Sequence, residues 1–280
     1  MTELVARLRA AGCVFAEDEA RILLEAAGGD AGRLEELTSA RVSGLPLEHL
    51  VGWAELDGRR WIVAPGVFVP RQRSELLVRE AAARALADAG PPRAVGAPVL
   101  LVDLCCGCGA LGGAVAARLL SAGHDVELHS ADLDPAAVAC AHDNLTALAG
   151  EHAGPGRLTA SACAGDLAGP LPQGVRGRVD VVVANAPYVP TVAIGTMPPE
   201  ARDHEPQAAL DGGDDGLAIL RRVIDLAPTL LRPGGHLLIE TGESQVSAAA
   251  GHMVAAGLLP TVLEDDDLGA TALAGTRPRR

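Results

Sequence analysis

The chain has 280 residues, a net charge of −13 and no lysine, so all 23 of its basic residues are arginine. That acidity disfavours nucleic acid as a partner, because a duplex-binding surface is basic. Hydrophobic residues make up 49 % and aromatics only 2 %, enough apolar content for a sizeable core and against global disorder. No apolar run reaches the roughly 20 residues of a membrane span. Met1-Thr2-Glu3-Leu4-Val5 does not open a secretory leader, and the six cysteines form no secreted-type framework. We expect a reduced, cytoplasmic protein. Heavy Ala, Gly and Arg usage points to a GC-rich bacterial genome.

Along residues 1–45, Leu4, Leu8, Ile22, Leu23, Ala26, Leu34 and Leu37 fall at helical spacing, and Gly28-Gly29 is a break. This predicts two or three short helices. A hairpin follows, from Leu50 to Leu56 and Trp61 to Val63, turning at Asp57-Gly58. A helix over about Ser74–Ala89 takes Ser74 as N-cap. Pro91-Pro92 through Pro98 reads as a stiff connector ahead of the main domain.

Beyond it strands and helices alternate. Strand 99–104 leads to a helix from Ala110, strand 126–131 to a helix from Pro135, and strand-like 158–162 precedes strand 179–184. A helix over about 217–231, a strand over 236–240, another helix and a closing pair near Leu259 and Thr271 complete the order. Leu231 to His236 reads as a turn. Alternation of this kind predicts a doubly wound α/β sheet.

Two constellations carry chemistry. In Asp103-Leu104-Cys105-Cys106-Gly107-Cys108-Gly109, a strand enters a glycine turn and then a helix, where backbone approaches a ligand closely and free N–H groups face it. Asp132 ends the next strand, where a carboxylate can accept both hydroxyls of a ribose. A nucleoside-containing cofactor follows. The loop lacks the Gly-x-Gly-x-x-Gly spacing of dinucleotide binders. Asp103 would repel a pyrophosphate but suits the amino group and sulfonium of S-adenosylmethionine. A metal reading of Cys105, Cys106 and Cys108 needs a second Cys/His cluster, which the sequence lacks, so no metal is expected. None of the eight histidines has ligand spacing, and His204 receives no role.

The second is Asn185-Ala186-Pro187-Tyr188, set by the proline at the C-terminal edge of strand 179–184. There an Asn side-chain oxygen and the next backbone carbonyl can accept two N–H bonds from a planar amide or amino group, with the aromatic ring over it. The long loop after it, with His204-Glu205-Pro206 and Asp211 to Leu217, reads either as a solvated acidic turn with a helix cap or as a substrate-facing lid.

These residues resemble the HemK/PrmC family of protein-(glutamine-N5) methyltransferases, which modify the Gly-Gly-Gln glutamine of peptide chain release factors. The resemblance rests on Val69-Pro70-Arg71-x-x-Ser74-Glu75-Leu76-Leu77-Val78, the glycine loop, Asn185-Ala186-Pro187-Tyr188, Glu205-Pro206-x-x-Ala209-Leu210-Asp211-Gly212-Gly213-x-x-Gly216-Leu217 and Pro233-Gly234-Gly235 through Glu240-Thr241-Gly242-Glu243-x-Gln245. It spans about residues 44–245. It implies a Rossmann-like class I methyltransferase with a seven-stranded, mostly parallel sheet, divided as an N-terminal helical docking region and hairpin (1–66), a connecting segment (67–98) and the methyltransferase domain (99–280). It also implies S-adenosyl-L-methionine as cofactor, leaving as S-adenosyl-L-homocysteine, and a release factor as protein partner. Asp103, Cys105, Cys106, Gly107, Cys108, Gly109, Asp132 and Leu133 would hold the cofactor with Asn185, Asp166 and Leu167 would sit at its adenine, and Asn185, Ala186, Pro187 and Tyr188 would hold the glutamine amide.

Three features depart from the family pattern. Ala186 replaces a proline, Cys105 replaces the first loop glycine, and the region before Pro70 is shorter than usual. Two other readings stay open from the sequence. One is methylation of an adenine amino group on nucleic acid, which the chain's acidity disfavours. The other is a non-catalytic cofactor-binding paralogue.

Overall fold

The computed structural model describes residues 1–89 and 97–279; most of the Pro91–Pro98 connector lies outside them. Four helices open the chain: α1 (Thr2–Ala10), α2 (Ala16–Ala27), α3 (Ala31–Val42) and α4 (Leu47–Val51). The first three match the helical spacing. Asp30 caps α3, its carboxylate accepting from the N–H groups of Gly32 and Arg33. The apolar faces close on Leu8, Ala16, Ala20 and Leu23 as a separate small cluster. The Leu50–Gly52 stretch, expected to be strand, is instead the end of α4 and its left-handed glycine cap. The hairpin is accordingly shorter: β1 (Trp53–Leu56) and β2 (Arg59–Ile62), turning on Asp57 and Gly58, both at positive φ.

Arg41 ties this helical cluster together and to the rest of the chain. It is buried, and its Nε and Nη2 donate to both carboxylate oxygens of Glu19 at 2.6 and 3.1 Å. Its Nη2 also lies 2.8 Å from Glu200, far along the sequence. Removing the guanidinium leaves the Glu19 charge buried and unpaired, so Arg41→Met should cost about 3 kcal/mol. Urea unfolding measures this. Glu200→Gln, at the half-exposed end, should cost less than about 1 kcal/mol.

A 3₁₀ turn (Gln72–Ser74) then leads into α5 (Glu75–Ala89). Ser74 directly precedes α5, and its hydroxyl donates to Glu240 at 2.6 Å. The alternating region follows as β3 (Val99–Leu104), α6 (Ala110–Ser121), β4 (Val126–Asp132), α7 (Pro135–Glu151), β5 (Leu158–Ala164) and β6 (Val179–Ala184). After these come α8 (Pro199–His204), α9 (Gln207–Leu210), α10 (Ala218–Leu230), β7 (Leu231–Glu240), α11 (Val246–Ala255), β8 (Leu259–Asp265) and β9 (Ala270–Thr276).

The seven strands order as β5-β4-β3-β6-β7-β9-β8, with β9 antiparallel to both β7 and β8. The fully buried β3 and β6 are apolar apart from Asp103 and Asp180, because helices cover both faces. Leu101, Val181 and Val183 pack toward α5, α6 and α7, whereas Leu100, Val102 and Val182 pack toward α10 and α11. The hairpin belongs to the first of these cores. Its Trp61 is buried against Gly113, where a Cβ would sit 2.6 Å from the indole. The expected turn over Leu231–His236 is instead the irregular start of β7. Leu231 and His236 face Val179 and Val181, so the intervening residues bulge out of the ladder around Gly234.

Candidate active site

The strand order reverses between β3 and β4 on one side and β6 on the other, and the loops at these C-terminal ends surround two cavities. The first, of about 400 Å³, is lined by Cys105, Cys106, Gly107 and Cys108 after β3, by Asp132 and Leu133 after β4, and by Asp166, Leu167, Asn185 and Pro187. The second, of about 310 Å³, is lined by Asn185, Ala186, Pro187 and Tyr188 together with Arg71, Arg73, Glu200 and Glu205. Phe68, Asn185, Pro187 and Ala209 belong to both walls. Most residues expected at a cofactor thus meet in one cavity, and those expected at a substrate amide meet at its junction with another.

The glycine loop is shaped by its own backbone. Cys105 adopts φ +56, a left-handed conformation that disfavours a side chain. The Gly107 N–H donates to Asp132 Oδ2 at 2.8 Å, and the Asp134 N–H donates to Oδ1 at 2.9 Å. Asp132 is thereby fixed at the cavity wall. Burial pushes the Cys105 and Cys108 thiols up to about 12, so they pack as small neutral groups. Arg222, with no role assigned from sequence, donates to Asp166 Oδ2 at 2.6 Å on the same wall.

Two residues expected to touch a cofactor lie elsewhere. Gly109 caps α6 at φ +76, and a Cβ there would come within 2.9 Å of Ala141. Asp103 is fully buried beneath the loop: Oδ2 accepts from the Gly112 N–H at 2.9 Å and Oδ1 has no partner. Ser130, its neighbour on β4, also holds an unpartnered buried oxygen.

Desolvation raises the Asp103 carboxyl to about 7, well above its value of about 3.9 in an unfolded chain. The folded state therefore keeps a proton that the unfolded state has lost. Its contribution is complete below about pH 4, falls by about 1.4 kcal/mol per unit as pH rises, and levels off above about pH 7. Asp103→Asn should flatten the stability profile across that window, as read by denaturant unfolding at each pH.

The second cavity is held by a buried network. Glu240 at the end of β7 accepts from Ser74 Oγ at 2.6 Å, from Tyr188 OH at 2.7 Å and from Arg73 Nε at 2.8 Å. Arg73 Nη2 reaches the Tyr188 oxygen at 2.5 Å, and Asn185 Nδ2 lies 3.3 Å from Ser74 Oγ. Burial and the Glu240 charge hold the Tyr188 phenol above its ordinary value. Glu205, also buried, pairs with Arg71.

The loop over Asp211–Leu217 acts as a brace beneath the site. The Val189 N–H donates to the Leu210 carbonyl and the Gly212 N–H to the Val189 carbonyl, and Asp211 accepts from Thr191 Oγ1 at 2.7 Å. Gln245 Nε2 donates to the carbonyls of Tyr188 and Asp215, each at 2.9 Å. His204 is the last residue of α8.

No family model matches the chain. It is 36 % identical over 250 residues to a release factor glutamine methyltransferase of Mycolicibacterium smegmatis, covering 84 % of this chain and 80 % of that one. The chain belongs to the release factor glutamine methyltransferase family. Within reach of the same comparison, a 4-amino-L-phenylalanine/4-methylamino-L-phenylalanine methyltransferase of Streptomyces pristinaespiralis is 36 % identical over 208 residues, 74 % of this chain and 65 % of that one. Among solved structures, the Thermus thermophilus 16S rRNA N2 G1207 methyltransferase in complex with AdoMet and guanosine aligns with a TM-score of 0.52 at 20 % identity. It covers 80 % of this chain and 49 % of that one. At that identity the likeness establishes the fold, a Rossmann-like class I methyltransferase. No helix among the described residues is long and apolar enough to cross a membrane.

Proposed function

We propose that this family member transfers a methyl group to the side-chain amide nitrogen of a protein glutamine, that of the Gly-Gly-Gln loop in a peptide chain release factor. The observation that carries this reading is the placement of Asn185 on the wall shared by two cavities, its Nδ2 turned to Ser74. Family membership supports the substrate, and such a reaction belongs in the cytoplasm.

The first cavity fits S-adenosylmethionine. Asp132 keeps free lone pairs on both oxygens toward a ribose, Leu133, Leu167 and Ile219 offer apolar walls to a purine, and the loop over Cys105–Cys108 leaves room at Gly107. When bound, the cofactor supplies an electrophilic methyl on a sulfonium. A neutral amide nitrogen is a poor nucleophile because its lone pair is delocalised into the carbonyl. Asn185 Oδ1 and the Ala186 carbonyl would accept its two N–H bonds, orient it and favour the positive charge that develops on it. Both acceptors need only backbone and Asn geometry, so alanine in place of proline at 186 keeps them. Tyr188, its phenol pinned by Glu240 and Arg73, packs over the amide plane and excludes water. The proton leaves the nitrogen after the methyl arrives, when that nitrogen is acidic, so no strong general base is required.

The test is mass spectrometry of the host's release factors after incubation with the protein and S-adenosylmethionine. A single-methyl shift on the Gly-Gly-Gln glutamine is expected. A second reading follows from the Streptomyces relative: an arylamine also presents a planar NH₂. Methylation of 4-amino-L-phenylalanine with unmodified release factor would favour it. Methylation of an adenine amino group, or cofactor binding with no turnover, would return to the two readings left open by the sequence.

A further inference from the structure

We propose that Glu240 is a positioning residue for the transfer: through Ser74 it fixes which end of the Asn185 amide faces the substrate, and directly it anchors the Tyr188 ring. The proposal rests on the reading of Asn185 as acceptor of a planar NH₂ group.

The two ends of an asparagine amide have the same shape and opposite polarity, so packing alone does not choose between them. Polarity does. Ser74 has one hydroxyl proton, and at 2.6 Å it goes to Glu240 Oε2, a carboxylate oxygen with only lone pairs. Toward Asn185, at 3.3 Å, the Ser74 oxygen is left able only to accept. The amide end facing it must then be Nδ2, and Oδ1 is turned to the cavities. The other oxygen of Glu240 completes the arrangement by accepting from Tyr188 OH, whose own oxygen accepts from Arg73. One buried carboxylate thus sets both groups that would grip the amide. With a glutamine at 240, an NH₂ can face Ser74. The serine proton is then free to point at Asn185, and the amide can turn its donor end to a substrate nitrogen that also only donates.

Tyr188 is the only tyrosine in the chain, so its ultraviolet titration reports this one phenol. The charges facing it are Glu240, which raises its pKa, and Arg73, which lowers it. The experiment compares wild type, Glu240→Gln, Ser74→Ala and the double variant, using release factor as substrate, calorimetry for the cofactor and absorbance titration for the tyrosine. Each single change should lower kcat by roughly 10-fold or more while cofactor affinity stays within about 2-fold. The double variant should fall at most about 3-fold below the worse single one, because both act on one amide. The Tyr188 phenol should titrate at lower pH in Glu240→Gln and stay near its wild-type position in Ser74→Ala, and Glu240→Asp should restore part of kcat.

A wild-type kcat in Glu240→Gln overturns the proposal. So do losses that multiply in the double variant, or a loss of cofactor affinity that matches the loss of kcat. An unsubstituted protein inactive toward both release factor and arylamine overturns the functional reading itself, a result seen before any variant is made.

Discussion

Asn185→Ala should lower methyl transfer by roughly 10²–10³-fold while leaving the affinity for S-adenosylmethionine nearly intact, the magnitude found when one preorganised charge-stabilising group is removed. The asymmetry comes from where the side chain sits. Asn185 is a shared wall of the two cavities, but the first is built mainly from Cys105 to Cys108, Asp132, Leu133 and Leu167, none of which depends on it. The Asn185 amide hangs from Ser74 and would supply one of the two acceptors for the substrate NH₂. Calorimetry for the cofactor and mass spectrometry for the product separate the two effects. An equal loss of both would remove Asn185 from the role assigned to it.

The second large effect is expected at Gly216, in the brace beneath the site. Its φ is +75, and a Cβ there would lie 2.2 Å from Gln245 Nε2 and 2.3 Å from the Tyr188 carbonyl oxygen. Gly216→Ala therefore adds backbone strain and also drives Gln245 off two carbonyls that it now bridges. With about 1–2 kcal/mol for the left-handed conformation and about 1–3 kcal/mol for buried groups left unpaired, the loss should be about 3 kcal/mol. Turnover should fall with it, since the backbone of Tyr188 loses its anchor. Gly66→Ala is the control: φ is +78, but nothing lies within 4 Å of its Cβ. Thermal unfolding of the two variants isolates the clash. Equal destabilisation would mean that the brace beneath Tyr188 is dispensable.

Local signals were legible where the residues themselves decide the structure. The apolar runs of β3 and β6, Pro135 opening α7 and the Asp57-Gly58 turn all appear where the sequence places them. Legibility ended where a distant partner overrides a local rule. Ser74 reads from its neighbours only as a helix start, yet its hydroxyl donates to a carboxylate 166 residues away. Leu50 and Val51 look like strand, but Gly52 in a left-handed conformation ends a short helix there.

Asp103 is the instructive miss in the site. Its charge beside a glycine turn suggested a cofactor contact, whereas strand alternation puts it on the face of Leu101, toward Gly112 of α6. Arg73, Glu240 and Gln245 stood in plain view within motifs, yet without roles, because each acts on Tyr188 from 115, 52 and 57 residues away.

The two cavities meet only across Phe68, Asn185, Pro187 and Ala209, and each is partly open to solvent in its own right. Initial-rate plots for such a site converge rather than run parallel, because both reactants must be present together and no methylated enzyme is formed along the way. One inhibitor bridging the shared wall would compete with both.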